Sequence, residues 1–248
     1  MDQRLKDVIK AHIHHQVVNP ALYLAEHHFD IQDDIANILI MNRILSDKIQ
    51  HSGVKKLDQY LVELLEDSED KSMEGLFRAG ALNKHKDALS VVYLSYVNQL
   101  INSISIAILS ASYLSANILS RSLLEALVTV SASSAKSMSK KIESIKFLKD
   151  DEQQVLKDAW KELCGWVHSY NLWLKELCPV LVSKQGLHHP EFAKKSMIFV
   201  GICIDFSLTL GVELLGLDRF SLMKSLSNYH VPINRFMLIK RRLSDESS

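Results

Sequence analysis

Apolar residues recur along much of this chain at intervals of three and four, the period of a helix with one face turned inward. Ile31, Ile35, Ile38, Leu39, Met41, Leu45 and Ile49 carry such a stripe through 21–50. It follows a break at Asn19-Pro20, where Pro20 suits a first helical turn and Asn19 its cap. Leu5, Val8, Ile9, His12, Ile13 and Gln16 form an earlier stripe, and Leu57, Tyr60, Leu61, Leu64 and Leu65 a later one over 54–66. Residues 67–72, DSEDKS, read as a charged loop, and 73–85 as a short helix weakened by Gly75 and Gly80.

The pattern then changes. Residues 88–120 contain no charge, no Gly and no Pro, and they end abruptly at Arg121 and Glu125. A single helix over 86–134 would be longer than about 70 Å at roughly 1.5 Å per residue, so a break is expected near Asn102–Ser105. The result would be a central uncharged hairpin.

Beyond it, 131–139 reads as a loop and 142–148 as a short helix. Asp150, Asp151 and Glu152 open a further helix, with acids placed to complement its dipole, running to Cys178-Pro179. A loop to Pro190, an apolar helix over 191–217 and a helix over 218–227 complete the series. The tail carries Pro232 and the basic run LIKRR. No strand-like alternation or repeat is present. The expected fold is all-α, a multi-helix bundle around the uncharged hairpin. It is read as one domain, with 1–85 as a satellite helical layer on a core of 86–227 and a basic tail over 228–248.

Composition refines this picture. Four prolines and eight glycines in 248 residues leave few helix breakers. Zero net charge gives no global signal for nucleic acid. Cys164, Cys178 and Cys203 form no CxxC pair, which suits reduced thiols in a cytoplasmic protein. The N-terminus has no apolar signal core. The stretch 101–119 has the length of a membrane span but is interrupted by Ser and Asn. The stretch 197–217 contains Asp205 and Glu213, and a carboxylate in mid-membrane costs roughly 2.5–3.5 kcal/mol. A soluble bundle is the expectation, with membrane association set aside.

Candidate chemistry centres on Arg121 and Glu125, four apart on one helical face after an uncharged run. His168, in the Trp-rich WKELCGWVHSYNLWL, and Asp205, with no other charge between Lys195 and Glu213, are the groups read as joining them in a polar centre. A lone Asp in an apolar helix needs a partner, and Arg121 or His168 would serve. The plain alternative is an intrahelical Arg121–Glu125 salt bridge and a hydrogen-bonded core His168. Cys164 lies four before His168, as a thiolate and base would, but nothing nearby supplies an oxyanion hole.

The RSLLEA helix, followed some forty residues later by WVH, resembles a group of bacterial helical proteins of the HEPN-like and abortive-infection class. Arg121, Glu125 and His168 match that pattern, over 88–174. The resemblance implies a defence or toxin protein acting on RNA or nucleotides, with those residues in a ribonuclease site. HEPN ribonucleases, however, carry Arg and His on one helix. Here only Arg78 and His85 have that spacing, so they stand as secondary candidates.

No cofactor or metal is expected. The histidine pairs His12/His15, His27/His28 and His188/His189 are scattered and lack a completing acid. Arg235, Lys240, Arg241 and Arg242 form a small basic patch able to touch a phosphate backbone. The competing function is a non-catalytic interaction module that forms a homodimer or docks a partner protein through its uncharged helices.

Overall fold

A computed structural model describes residues 29–51, 96–110, 112–132, 135, 137–168 and 190–244. Eight α-helices account for nearly all of it, and there is no strand among the described residues. They are α1 (Phe29–His51), α2 (Asn98–Leu109), α3 (Tyr113–Ser131), α4 (Met138–Glu143), α5 (Asp150–His168), α6 (Pro190–Glu213), α7 (Arg219–Asn228) and α8 (Met237–Ser244). A single 3-10 turn, Ile233–Arg235, precedes α8. The chain is an all-α multi-helix bundle.

The stripe read from the sequence is the buried face of α1: Ile35, Ile38, Met41, Leu45 and Ile49 are all inside. It packs on α2, α6 and α7. Residues 88–120 do supply a helical hairpin, α2 and α3, but its turn comes later than the spacing predicts: α2 ends at Leu109 and α3 starts at Tyr113. Asn102 and Ser105 do not break α2 because their side chains find partners, one on a neighbouring helix and one within α2. The Ser105 hydroxyl donates back to the Ile101 carbonyl at 2.9 Å, and Asn102 Oδ1 accepts from Asn42 of α1 at 3.2 Å. The chain leaves the helix instead at Ser110 and Ser112, whose N–H groups still bond Ile106 and Ala107 carbonyls.

The hairpin shares the centre with α6, which touches α1, α2, α3, α5 and α8. Every residue from Cys203 to Val212 is buried, so this helix has no solvated face there. Glu191–Glu213 is long and apolar enough to cross a membrane, and 78% of its apolar window is buried against the other helices. The helix stops before the expected Leu217. Gly216, at φ 64°, takes the left-handed turn, and the Leu217 N–H returns to the Gly211 carbonyl at 3.0 Å.

Two further elements depart from expectation. The short helix read over 142–148 lies over Met138–Glu143, started by the Ser137 hydroxyl accepting from the Lys140 N–H. The stretch read as a basic tail contains α8, whose Leu238, Ile239 and Arg242 are buried. Asp218 caps α7 by accepting from the Ser221 N–H at 2.6 Å. The elements expected over 1–18, 54–66, 73–85 and 169–189 lie outside the described residues, as do Arg78, His85, Cys178 and the histidine pairs.

Candidate functional site

The four residues read as one polar centre lie in three separate settings. Arg121 projects from α3 toward α5, its guanidinium 4.9 Å from the centroid of the Trp160 ring. Its Nε is buried without an acceptor. Glu125, one turn on, is exposed and forms no ion pair with Arg121. His168 is exposed at the C-terminal end of α5, eight residues past Trp160, or roughly 12 Å along the axis. No hydrogen bond or ion pair joins Arg121, Glu125, His168 and Asp205 to one another. The intrahelical salt bridge and the core-histidine alternatives are equally unmet. The α3 and α5 faces present these side chains to different neighbours, and no element draws them together.

Asp205 has a partner, but of another kind. Its carboxylate accepts the backbone N–H of Leu238 at 2.9 Å and of Ile239 at 2.8 Å. These are two of the orphan donors of the first turn of α8. Phe236, just before α8, offers no capping side chain, so the cap comes from α6, more than thirty residues earlier. Burial pushes the Asp205 carboxyl up to about 6, while the two N–H groups hold it lower than burial alone would.

The basic run at the C-terminus is tied down by acids. Arg242 is 4% exposed, and its guanidinium clasps both oxygens of fully buried Glu152. It also donates to the carbonyls of Phe147 at 2.6 Å and Leu238 at 3.1 Å, and its Nε lies 3.4 Å from Glu213. Arg241 forks onto Asp151 at 2.8 and 3.1 Å and reaches Glu152 at 3.2 Å. Arg235 pairs with Asp34 of α1. Of the four basic residues proposed for a phosphate backbone, Arg235, Arg241 and Arg242 therefore hold carboxylates, and Lys240 alone stays exposed without one.

Burial works to raise the Glu152 carboxyl, but Arg242 and the Lys149 N–H outweigh it and hold it below the ordinary value. The Arg241 fork holds Asp151 down at about 2. Glu152 also completes the start of α5, accepting the Lys149 N–H at 2.9 Å as the acid of a capping box does. Sequence reasoning missed this knot because Glu152 looks like one more acid in a solvated first turn. The available signal was weak: three acids opening one helix and three bases closing the last.

Beside Asp205 lies a groove of about 480 Å³ between α1, α6 and the turn into α8. Ile38, Met197, Ile198, Ile202 and Phe236 give it apolar walls, Asp205 sits in its lining, and the Asp34–Arg235 pair stands at its edge. Gly201 also lines it. A Cβ built on Gly201 would meet nothing within 4 Å. Glycine in a helix costs roughly 0.5–1 kcal/mol relative to alanine, and no close packing explains it here.

A second set of polar groups is kept against stability. Both amide atoms of Asn117, the Ser120 hydroxyl and Arg121 Nε are buried without partners, at i, i+3 and i+4 on one face of α3. Each such group costs about 1–3 kcal/mol. Among the described residues no group of three His, Cys, Asp or Glu side chains could hold a metal ion. Comparison with known protein families, with curated proteins and with solved structures gives no match.

Proposed function

We propose that this chain is a helical binding module, and that its ligand is a mainly apolar small molecule seated in the groove at Gly201. The observation that supports this is the glycine itself, a helix-weakening residue in the lining of the groove at which an added Cβ would meet nothing within 4 Å. A groove of this volume, apolar-walled with a few placed polar groups, has the size and character of small-molecule sites. Met197 lets the wall adapt to ligand shape. The Asp205 oxygens each accept one N–H and retain lone pairs for a hydroxyl or amide donor on the ligand. Specificity would come from that donor, affinity from the buried apolar area.

The test is a variant that should be more stable and yet blind. Gly201→Phe adds a bulky ring at a lining position whose Cβ has open space, and replaces a helix-weakening glycine. Binding of an uncharged solvatochromic dye such as Nile red is expected to saturate with the native chain and to weaken at least tenfold in Gly201→Phe, with the melting temperature unchanged or higher. Equal dye binding by the two proteins would sink the reading. RNA cleavage by the native chain that is lost in both Arg121→Ala and His168→Ala, with Gly201→Phe still active, would favour the ribonuclease instead.

A further inference from the structure

The groove leaves the polar face of α3 unexplained. Tyr113 packs on Phe192 with ring centroids 6.1 Å apart, and the Cys203 thiol faces the Ser120 carbonyl at 3.7 Å. Numbers rise together along the two helices, so α3 and α6 run parallel. Trp166 meets Phe192 edge-on at 5.7 Å, while Trp160 meets Arg121. Here numbers fall as those of α3 rise, so α5 runs antiparallel to α3. An aromatic trio, Tyr113, Trp166 and Phe192, closes one end of this three-helix seam, and Arg121 stands at the other.

Between the two ends α3 offers Asn117 and Ser120, and α6 offers Ser196 at the level of Asn117, four residues past Phe192 as Asn117 is four past Tyr113. All of these are buried and all retain unpartnered polar atoms. Arg121 closes this row with a half-buried guanidinium that meets no acid; among the other described arginines Arg43, Arg235, Arg241 and Arg242 each meet one, and Arg219 at the start of α7 does not. Its guanidinium carbon lies over the Trp160 ring, a cation–π contact that holds the head in place. A half-buried guanidinium fixed over an aromatic ring, with the unpartnered Asn117 amide one turn before it on α3 and no carboxylate to neutralise it, suits an oxyanion.

We propose that Arg121, braced by Trp160 and backed by Asn117 on α3, is an oxyanion-binding site, taking a phosphate or carboxylate group on its guanidinium. This site is separate from the groove and does not depend on it.

Inorganic phosphate is titrated into the full chain at constant ionic strength, reading tryptophan fluorescence and the thermal midpoint. Sodium acetate is run in parallel to tell a tetrahedral phosphate from a carboxylate, and a saturable response to either supports the site. Arg121→Met is expected to weaken the response at least tenfold while melting no lower than the native chain, because it removes an unsatisfied buried donor. Asn117→Leu is expected to weaken the response with the fold intact, and it serves as the readout if Arg121→Met is poorly soluble. Native-like titration by both variants overturns the proposal, as does the absence of any saturable response in the native chain. A drop of several degrees in the midpoint of Arg121→Met would show the residue to be structural and would overturn it equally.

Discussion

Arg242 belongs to a run of three bases near a chain end, yet it is one of the most deeply buried charges described. What decides its value is that Glu152 beside it is sealed from water. Removing one member of a buried pair leaves the other charge uncompensated, which costs about 3–5 kcal/mol, whereas replacing both with apolar groups of similar volume is often neutral. Arg242→Met is therefore expected to lower the unfolding free energy by about 3–5 kcal/mol in urea titrations, and Arg242→Met combined with Glu152→Leu to recover most of the loss. Additive losses in the double variant would show that the pair is not the unit of stability. At this scale the sequence was partly legible. The isolation of Asp205 announced a need for a partner. Nothing local revealed that the partner would be two backbone N–H groups of a helix not yet recognised.

Among elements, α6 carries two glycines with opposite demands. Gly201 faces open space, but a Cβ on Gly211 would come within 2.9 Å of Leu217 Cδ1 and 3.0 Å of Leu45 Cδ1. Gly211 lets α1 and the chain after the helix close on α6, a contact that even a methyl group disturbs. Gly201→Ala should stabilise the fold by about 0.5–1 kcal/mol, and Gly211→Ala should destabilise it by about 1–3 kcal/mol. Thermal or chemical unfolding of the two variants side by side checks both signs, and a shared sign would refute the distinction. The helices themselves were largely legible, because period-3.6 stripes survive in α1 and acids mark the start of α5. The hairpin turn was not, since Ser and Asn inside a helix can be satisfied by back-bonding and by a neighbouring helix. The α8 helix was hidden because its cap is non-local.

For the whole molecule, buried and paired acids set opposite pH slopes. Asp205 in the fold titrates near 6, above its ordinary 3.8. The folded state therefore holds more protons than the unfolded chain between these values, and stability falls as pH rises from about 4 to about 6. Asp151 and Glu152 are held below their ordinary values by Arg241 and Arg242. Their contribution is present above about 4 and is lost as pH falls further. The unfolding free energy is thus expected to peak on the acid side of neutrality. Its decline from about 4 to about 6 should disappear in Asp205→Asn when urea midpoints are followed from pH 3 to 8. A native profile flat across that window would contradict the burial of an ionisable Asp205. The fold class was legible from scarce Gly and Pro and unbroken helical periodicity. The placement of the candidate residues was not, because it depends on which helices face one another.

The central position of α6 also has a consequence in time. The helix against which α1, α2 and α3 bury their apolar faces is specified about eighty residues after α3 ends. At a synthesis rate of roughly 5–20 residues per second, those faces wait on the order of 4–16 s for their cover to be made. During that interval the nascent chain lacks the cover that α6 gives to α1 and α3. A protein whose keystone arrives late is one for which passage from ribosome to finished fold is the vulnerable step, and its yield in the cell should respond to chaperone supply more than to the stability of the completed bundle.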